Sequence, residues 1–199
     1  SAGVLKYEGG IGINQIPSKS MEAKRIFAYV PEIPALFPML NVAEHMEYIR
    51  RAYNPGTTEE EIQTILERFE LDDKKEKLGD ELSKGMMQKV SICCALVIKP
   101  QVLMLDEPMV GLDPKAIKEL KEVLQELKQS GVTILISTHM LEMVQELWDD
   151  VFVMQKGQIV ASYRREEAAG QNLDDLFFAV TEGSEEDAVV EEKDGEKHE

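Results

Sequence analysis

Val102-Leu103-Met104-Leu105-Asp106-Glu107-Pro108 is the stretch that decides the fold. Four apolar residues running into two acids and a proline describe a strand buried on both faces of a parallel sheet. Val132-Thr133-Ile134-Leu135-Ile136 repeats the pattern just after Gly131, and a second doubly buried strand is expected there. Between the two, Pro114 opens a helix at its tolerated first turn, with Ile117, Leu120, Val123, Leu124 and Leu127 on one stripe. Another helix is expected from about Ser83 to Lys99, with Met86, Val90, Cys93, Cys94 and Val97 on one face and Pro100 closing it. Strand, helix, strand, helix at this spacing means an α/β core with a parallel sheet.

Upstream, Ile26 to Val30 reads as a strand stopped by Pro31. Asn41 with Glu44, and Thr58 with Glu61, carry the paired spacing of capped helix starts, so helices are predicted to Tyr53 and to about Leu71. Val4–Tyr7 and Ile11–Ile13 flank Glu8-Gly9-Gly10 as a hairpin. Downstream, Thr138 is expected to cap a helix through about Trp148. Val151–Met154 and Ile159–Ser162 flank Gln155-Lys156-Gly157-Gln158 as a second hairpin, and an amphipathic piece runs from Leu173 to Val180. Residues 181–199 hold nine acidic groups against Lys193 and Lys197, a net of −7, and bury too little apolar surface to offset chain entropy. One domain over residues 1–180 with a disordered acidic tail is the expected organisation.

Composition narrows the function. The 199 residues carry a net charge of −16, and residues 1–180 still carry −9, with no basic patch for a phosphate backbone. No apolar run approaches the roughly 20 residues that span a bilayer. No charged-then-apolar leader opens the sequence, and Cys93 and Cys94 are neighbours within one helical pattern. A reducing, cytoplasmic setting fits best.

The chemistry sits at strand ends. Asp106 and Glu107 fall at the C-terminal edge of a parallel sheet, where ligands of such sheets bind. In nucleotide hydrolases a first carboxylate there holds Mg²⁺ and a second acid polarises the attacking water. The plain alternative makes Glu107 a solvated turn residue. Ser83 at a helix N-cap, followed by Lys84 and Gly85, has the makings of an anion site, or of an ordinary cap beside a surface lysine. Gly111-Leu112-Asp113-Pro114 follows closely, and Ser137-Thr138-His139 sits directly after the second strand, where a histidine can reach a phosphate oxygen or a water.

In joint order and spacing these segments resemble the second half of an ABC-type ATPase, the nucleotide-binding domain of ATP-binding-cassette transporters. Leu82-Ser83-Lys84-Gly85-Met86 is similar to the signature motif, Leu103 to Pro108 to the Walker B strand, Gly111-Leu112-Asp113 to the D-loop, and Ser137-Thr138-His139 to the switch-histidine motif. Tyr29-Val30-Pro31-Glu32 resembles the Q-loop, Leu40 to His45 the start of the helical subdomain, and Gln155 to Val160 the late hairpin. The resemblance covers residues 1 to about 165. It implies a P-loop NTPase-like sheet flanked by helices, a helical subdomain over about residues 41–98, and a partial N-terminal antiparallel hairpin.

The resemblance also implies roles: Asp106 for Mg²⁺, Glu107 as general base and His139 on the γ-phosphate and water. Ser83, Lys84 and Gly85 would meet the ATP of a partner subunit, Asp113 would join the two sites of a dimer, and Glu32 would serve in the Q-loop. The implied protein is an ATPase subunit, peripheral at the inner face of the cell membrane, that couples ATP hydrolysis to a separate permease. Lys84 and Met86 replace a glycine and a glutamine of the signature, a pattern similar to bacterial exporter-type cassettes, and Glu32 replaces a glutamine. No Gly-Lys dipeptide occurs anywhere, so the family's GxxxxGK[ST] loop is missing from the sequence. The expectation is a domain cut after its P-loop helix and inactive by itself, with an unpaired edge on the Asp106 strand or the Ile26–Val30 strand. Two other readings stand beside it: a chromosome-maintenance or ribosome-acting ATPase, and a non-enzymatic interaction fragment.

Overall fold

A computed structural model describes residues 8–168 and 170–180 of the chain. At its start β1 (Gly12–Ile13) and β2 (Ile16–Pro17) form a minimal antiparallel hairpin. Its turn is Asn14-Gln15, at φ +49° and +65°, the left-handed pair whose twist matches flanking strands. The hairpin therefore turns later than Gly9-Gly10, and the expected Val4–Tyr7 strand lies outside the described residues, as does the tail at 181–199. Ser20 then caps α1 (Met21–Arg25), accepting from the Ala23 amide at 3.1 Å. Five residues carry no period, so this helix was not legible beforehand.

β3 (Phe27–Val30) leads through a loop into α2 (Val42–Tyr53) and α3 (Glu59–Arg68). Both helices open with the expected reciprocal caps, Asn41 with Glu44 and Thr58 with Glu61. α2 stops where Asn54 turns left-handed at φ +47°. α4 (Lys84–Val97) follows two short 3₁₀ turns and is buried almost all round, Gln88 and Lys89 included. β4 (Val102–Asp106), α5 (Pro114–Gln129) and β5 (Thr133–Ser137) complete the core, with Gly131 at φ +89° ending α5.

The strands lie in the order β3-β4-β5, all parallel. Register sets Val30 beside Leu105, and Asp106 beside Ser137. The C-terminal ends of β4 and β5 thus deliver Asp106, Glu107, Ser137, Thr138 and His139 to one edge. Beneath them Ala28, Val30, Leu103 and Leu105 are buried, as are Leu120, Val123 and Leu124 of α5. Each buried leucine contributes about 1.5–3 kcal/mol. Across α3 and α5, Arg68 forks to Glu119 and Glu126.

Three expectations change. β5 is not doubly buried: Leu135 is 50% exposed, and Thr133 and Ser137 are exposed beside it. Among the described residues β4 is its only strand neighbour, so an apolar run alone did not report which face is covered. Of the two strands expected to carry an unpaired edge, the Asp106 strand is central among the described residues, while the Ile26–Val30 strand (β3) does lie at an edge, as does β5. Thr138 caps no helix, because α6 spans only Leu141–Val144 behind Met140, which makes no side-chain cap. The Thr138 hydroxyl instead donates to Glu107.

A boundary between two compact units falls after His139. In the second unit β6 (Asp150–Gln155) and β7 (Gln158–Arg164) form the expected hairpin around Lys156-Gly157, both left-handed. Trp148 is buried there with the Arg165 guanidinium 5.7 Å from its ring centre, and residues 173–180 are helical.

Candidate functional site

Parallel pairing decides the geometry of the two acids. With Asp106 opposite Ser137, the serine hydroxyl donates to Asp106 Oδ1, while the Tyr29 hydroxyl approaches Oδ2 at 3.4 Å from the end of β3. Burial, then the Asp106 charge, pushes the Tyr29 phenol above its ordinary range. Its proton therefore stays in place as a donor at neutral pH.

Glu107 leaves the strand in a left-handed conformation, φ +45°, unusual for a residue with a side chain and costing on the order of 1–3 kcal/mol. Its amide donates to the Ser137 carbonyl at 2.9 Å. That twist turns the carboxylate into the loop after β5. Oε2 accepts from the Thr138 hydroxyl at 2.9 Å; Oε1 accepts from the His139 amide at 3.0 Å and lies 2.7 Å from His139 Nδ1. A carboxylate only accepts, so the Nδ1 proton points at Glu107 and Nε2 is left on the open side. The glutamate side chain is 19% exposed and the histidine 76%, so an oriented acid sits behind a solvent-facing imidazole. Glu107 is no solvated turn residue.

A second group forms at the start of α4. Ser83 caps the helix, accepting from the Met86 amide at 3.3 Å. Gly85 faces the 108–113 turn so closely that a Cβ there would stand 2.5 Å from the Gly111 carbonyl oxygen. Asp113 caps α5 through Oδ1, accepting from Ala116 at 2.9 Å, and its Oδ2 lies 2.8 Å from Lys89 Nζ. The Lys89 ammonium, then the Ala116 amide, holds the Asp113 carboxyl below the usual range.

Glu32 lies exposed in the loop after β3, and no hydrogen bond joins it to Asp106 or Glu107 among the described residues. Beyond it is an apolar surface. Phe37, Pro38, Met39, Leu40 and Tyr48 line a shallow pocket of about 430 Å³, with Ile33 and Met39 each 76% exposed nearby. Phe37 meets the edge of Tyr48 at 5.2 Å, and its amide donates to His45 Nε2 at 3.0 Å.

The family model for ABC transporters matches residues 2–110, more than half of the chain. The chain belongs to the ABC transporter family. It is 40% identical over 141 residues to the uncharacterised ABC transporter ATP-binding protein YhaQ of Bacillus subtilis, covering 70% of this chain and 47% of YhaQ. The chain therefore spans about half the length of that relative. A solved ABC transporter ATP-binding subunit superposes with a TM-score of 0.81 at 33% identity, covering 90% of this chain and 80% of the other. The structure of cbiO1 from Clostridium perfringens, part of the ABC transporter complex cbiONQ, gives 0.62 at 30% identity, covering 84% and 70%.

Against these ABC relatives the expected α/β architecture stands: a parallel sheet flanked by helices, with an antiparallel hairpin. Of the residues the sequence singles out, the structure brings together Asp106, Glu107 and His139, and separately Ser83, Lys84, Gly85 and Asp113. Three supporting side chains were not foreseen in their roles: Tyr29, Thr138 and Lys89. Lys89 did leave a signal. It follows Gly85 by one helical turn, so both face the same turn of chain.

Proposed function

We propose that the full-length protein is the ATP-hydrolysing subunit of an ABC transporter, working as a head-to-tail dimer on a separate membrane permease. The observation that carries this reading is the edge formed by Asp106 and Glu107, with the Glu107 carboxylate aimed by Thr138 and His139. A single aspartate at a strand end suits Mg²⁺, which is held by one or two carboxylates and otherwise by water and substrate phosphates. Asp106 would hold Mg²⁺ with ATP, and the bound ion neutralises charge developing on the phosphates. Glu107 takes the proton of the attacking water, and His139, its Nδ1 anchored on Glu107, leaves Nε2 on the open side as an acceptor that can hold that water in line with the γ-phosphate. Ser83, Lys84 and Gly85 present the start of α4 to the nucleotide of the second subunit, Asp113 lies at the same junction, and Glu32 acts from the β3 loop.

The apolar surface around Phe37 and Tyr48 is where the permease would dock, since an exposed patch of this kind marks an interaction site. No helix among the described residues is long and apolar enough to cross a membrane, which leaves that task to another chain or segment. The cytoplasmic face of the membrane is the resulting location.

The experiment is direct. Full-length protein should hydrolyse ATP with Mg²⁺ and co-purify with a polytopic membrane protein; hydrolysis without any membrane partner would favour a non-transport ATPase, and the absence of both hydrolysis and co-purification would refute the proposal. Residues 1–199 alone should turn over no faster than background, because this sequence holds no GxxxxGK[ST] loop to cradle phosphates. Mg²⁺-dependent turnover by residues 1–199 that disappears in Glu107→Gln would overturn that part.

A further inference from the structure

We propose that Lys89 is a positioning residue for turnover: it clamps the 108–113 turn against α4, so that Glu107 at one end of that turn and the start of α4 keep one fixed geometry. The inference rests on the ATPase reading above and adds to it a residue outside every motif that led there.

The argument begins with burial. Lys89 is only 8% exposed in a helix whose other buried side chains are apolar except for Gln88, and a lysine is almost never buried unless it is paired. Its partner is Asp113 at 2.8 Å. Asp113 is then fully engaged within its own chain, one oxygen on the α5 cap and the other on Lys89. Two neighbouring contacts on the same helix face act in the same direction. The Gln88 amide donates to the Pro108 carbonyl at 3.3 Å, and Gly85 allows the Gly111 carbonyl to approach as closely as backbone can. Residues 85, 88 and 89 share one helix face by their three- and four-residue spacing, and they touch positions 111, 108 and 113 in turn.

Of these contacts only Lys89–Asp113 is ionic. Gly85 and Gln88 set how near the turn comes. The lysine fixes where it ends, since Asp113 is both the last residue of the turn and the cap of α5. Glu107 starts the turn in a strained left-handed conformation, and such a conformation persists only where its surroundings over-determine it. Loosening the far end gives Glu107 room to relax away from Thr138 and His139.

The test has two arms. In residues 1–199, Lys89→Met keeps an apolar stem of similar length and removes the charge, and Asp113→Asn keeps the α5 cap while removing the pair. Both should raise amide exchange across residues 109–113 about tenfold while leaving α2 and α3 unchanged; unchanged exchange overturns the clamp. In the full-length protein, Lys89→Met should lower kcat about tenfold with KM for ATP within twofold, and Lys89→Arg should restore most of the rate. A wild-type kcat in Lys89→Met, or a loss that appears in KM alone, overturns the positioning role even if exchange rises. If the wild-type protein hydrolyses no ATP, the functional reading fails and the turnover role with it, while the exchange arm still decides whether the clamp exists.

Discussion

Replacing Gly85 with alanine puts one methyl group where the structure has no room. The added Cβ would sit 2.5 Å from the Gly111 carbonyl oxygen and 3.6 Å from its carbon. A comfortable carbon–oxygen contact is about 3.3–3.6 Å, so α4 and the turn must separate by close to 1 Å. Neither side yields readily. Gly111 is held at φ +81°, and the turn is tied to α4 by Lys89–Asp113 and by Gln88–Pro108. Overpacking of this kind costs about 1–3 kcal/mol, against which alanine regains roughly 0.5–1 kcal/mol of helix preference. Taken at the middle of each range, the net loss is about 1.3 kcal/mol. With a urea slope near 2 kcal/mol/M, the unfolding midpoint of residues 1–199 should fall by about 0.6 M. Gly10→Ala is the control, since its methyl meets nothing within 4 Å. A Gly85→Ala midpoint at or above wild type would refute the close approach between α4 and the turn.

Three other outcomes are expected. Arg50 and Arg51 hold the Glu47 carboxyl down at about 2 from its ordinary 4.5, so the stability it lends is present above pH 4.5 and lost as pH falls toward 2; thermal midpoints of Glu47→Gln should decline less steeply than wild type over that interval, and parallel curves would contradict this. Thr138→Val removes a hydrogen bond to a charged group, worth about 1.5 kcal/mol, so kcat of the full-length protein should drop roughly tenfold with KM little changed; an unaltered kcat would make Thr138 structural. Phe37→Ser with Tyr48→Ser should abolish co-purification of a membrane partner while sparing basal ATP hydrolysis, and retained co-purification would place the docking surface elsewhere.

Much of this fold was legible because its signals are local. Asn41 with Glu44 and Thr58 with Glu61 announce their helices through side chains that bond within four residues, and both caps form as spaced. The apolar run before Asp106 located β4, and its Asp-Glu ending located the site. What the sequence hid depends on distant neighbours. Val132 to Ile136 is as apolar as β4, yet Leu135 is exposed, because burial is conferred by whatever covers the face and not by the run itself. Thr138 reads as a helix cap by type, but the Glu107 carboxylate from the adjacent strand takes its hydroxyl first. Gly9-Gly10 is a stronger turn signal than Asn14-Gln15, although asparagine also tolerates the left-handed region in which the turn forms. Lys89 signals only the helix face it shares with Gly85, and its partner Asp113 is revealed only by the packing.

The central claim, that Asp106 and Glu107 divide metal binding from proton abstraction, is tested most directly by pairing Glu107→Gln with Asp106→Asn in the full-length protein. Nucleotide affinity and turnover are measured for both in one assay. Glutamine keeps the shape and loses the basicity, so Glu107→Gln should bind ATP nearly as wild type while hydrolysing it roughly 10²–10⁴-fold more slowly, and the proposed dimer should live longer because ATP persists. Asp106→Asn should weaken Mg²⁺-dependent ATP binding itself, since it removes charge the cation needs. Wild-type turnover in Glu107→Gln would contradict the account and pass the role of base to His139.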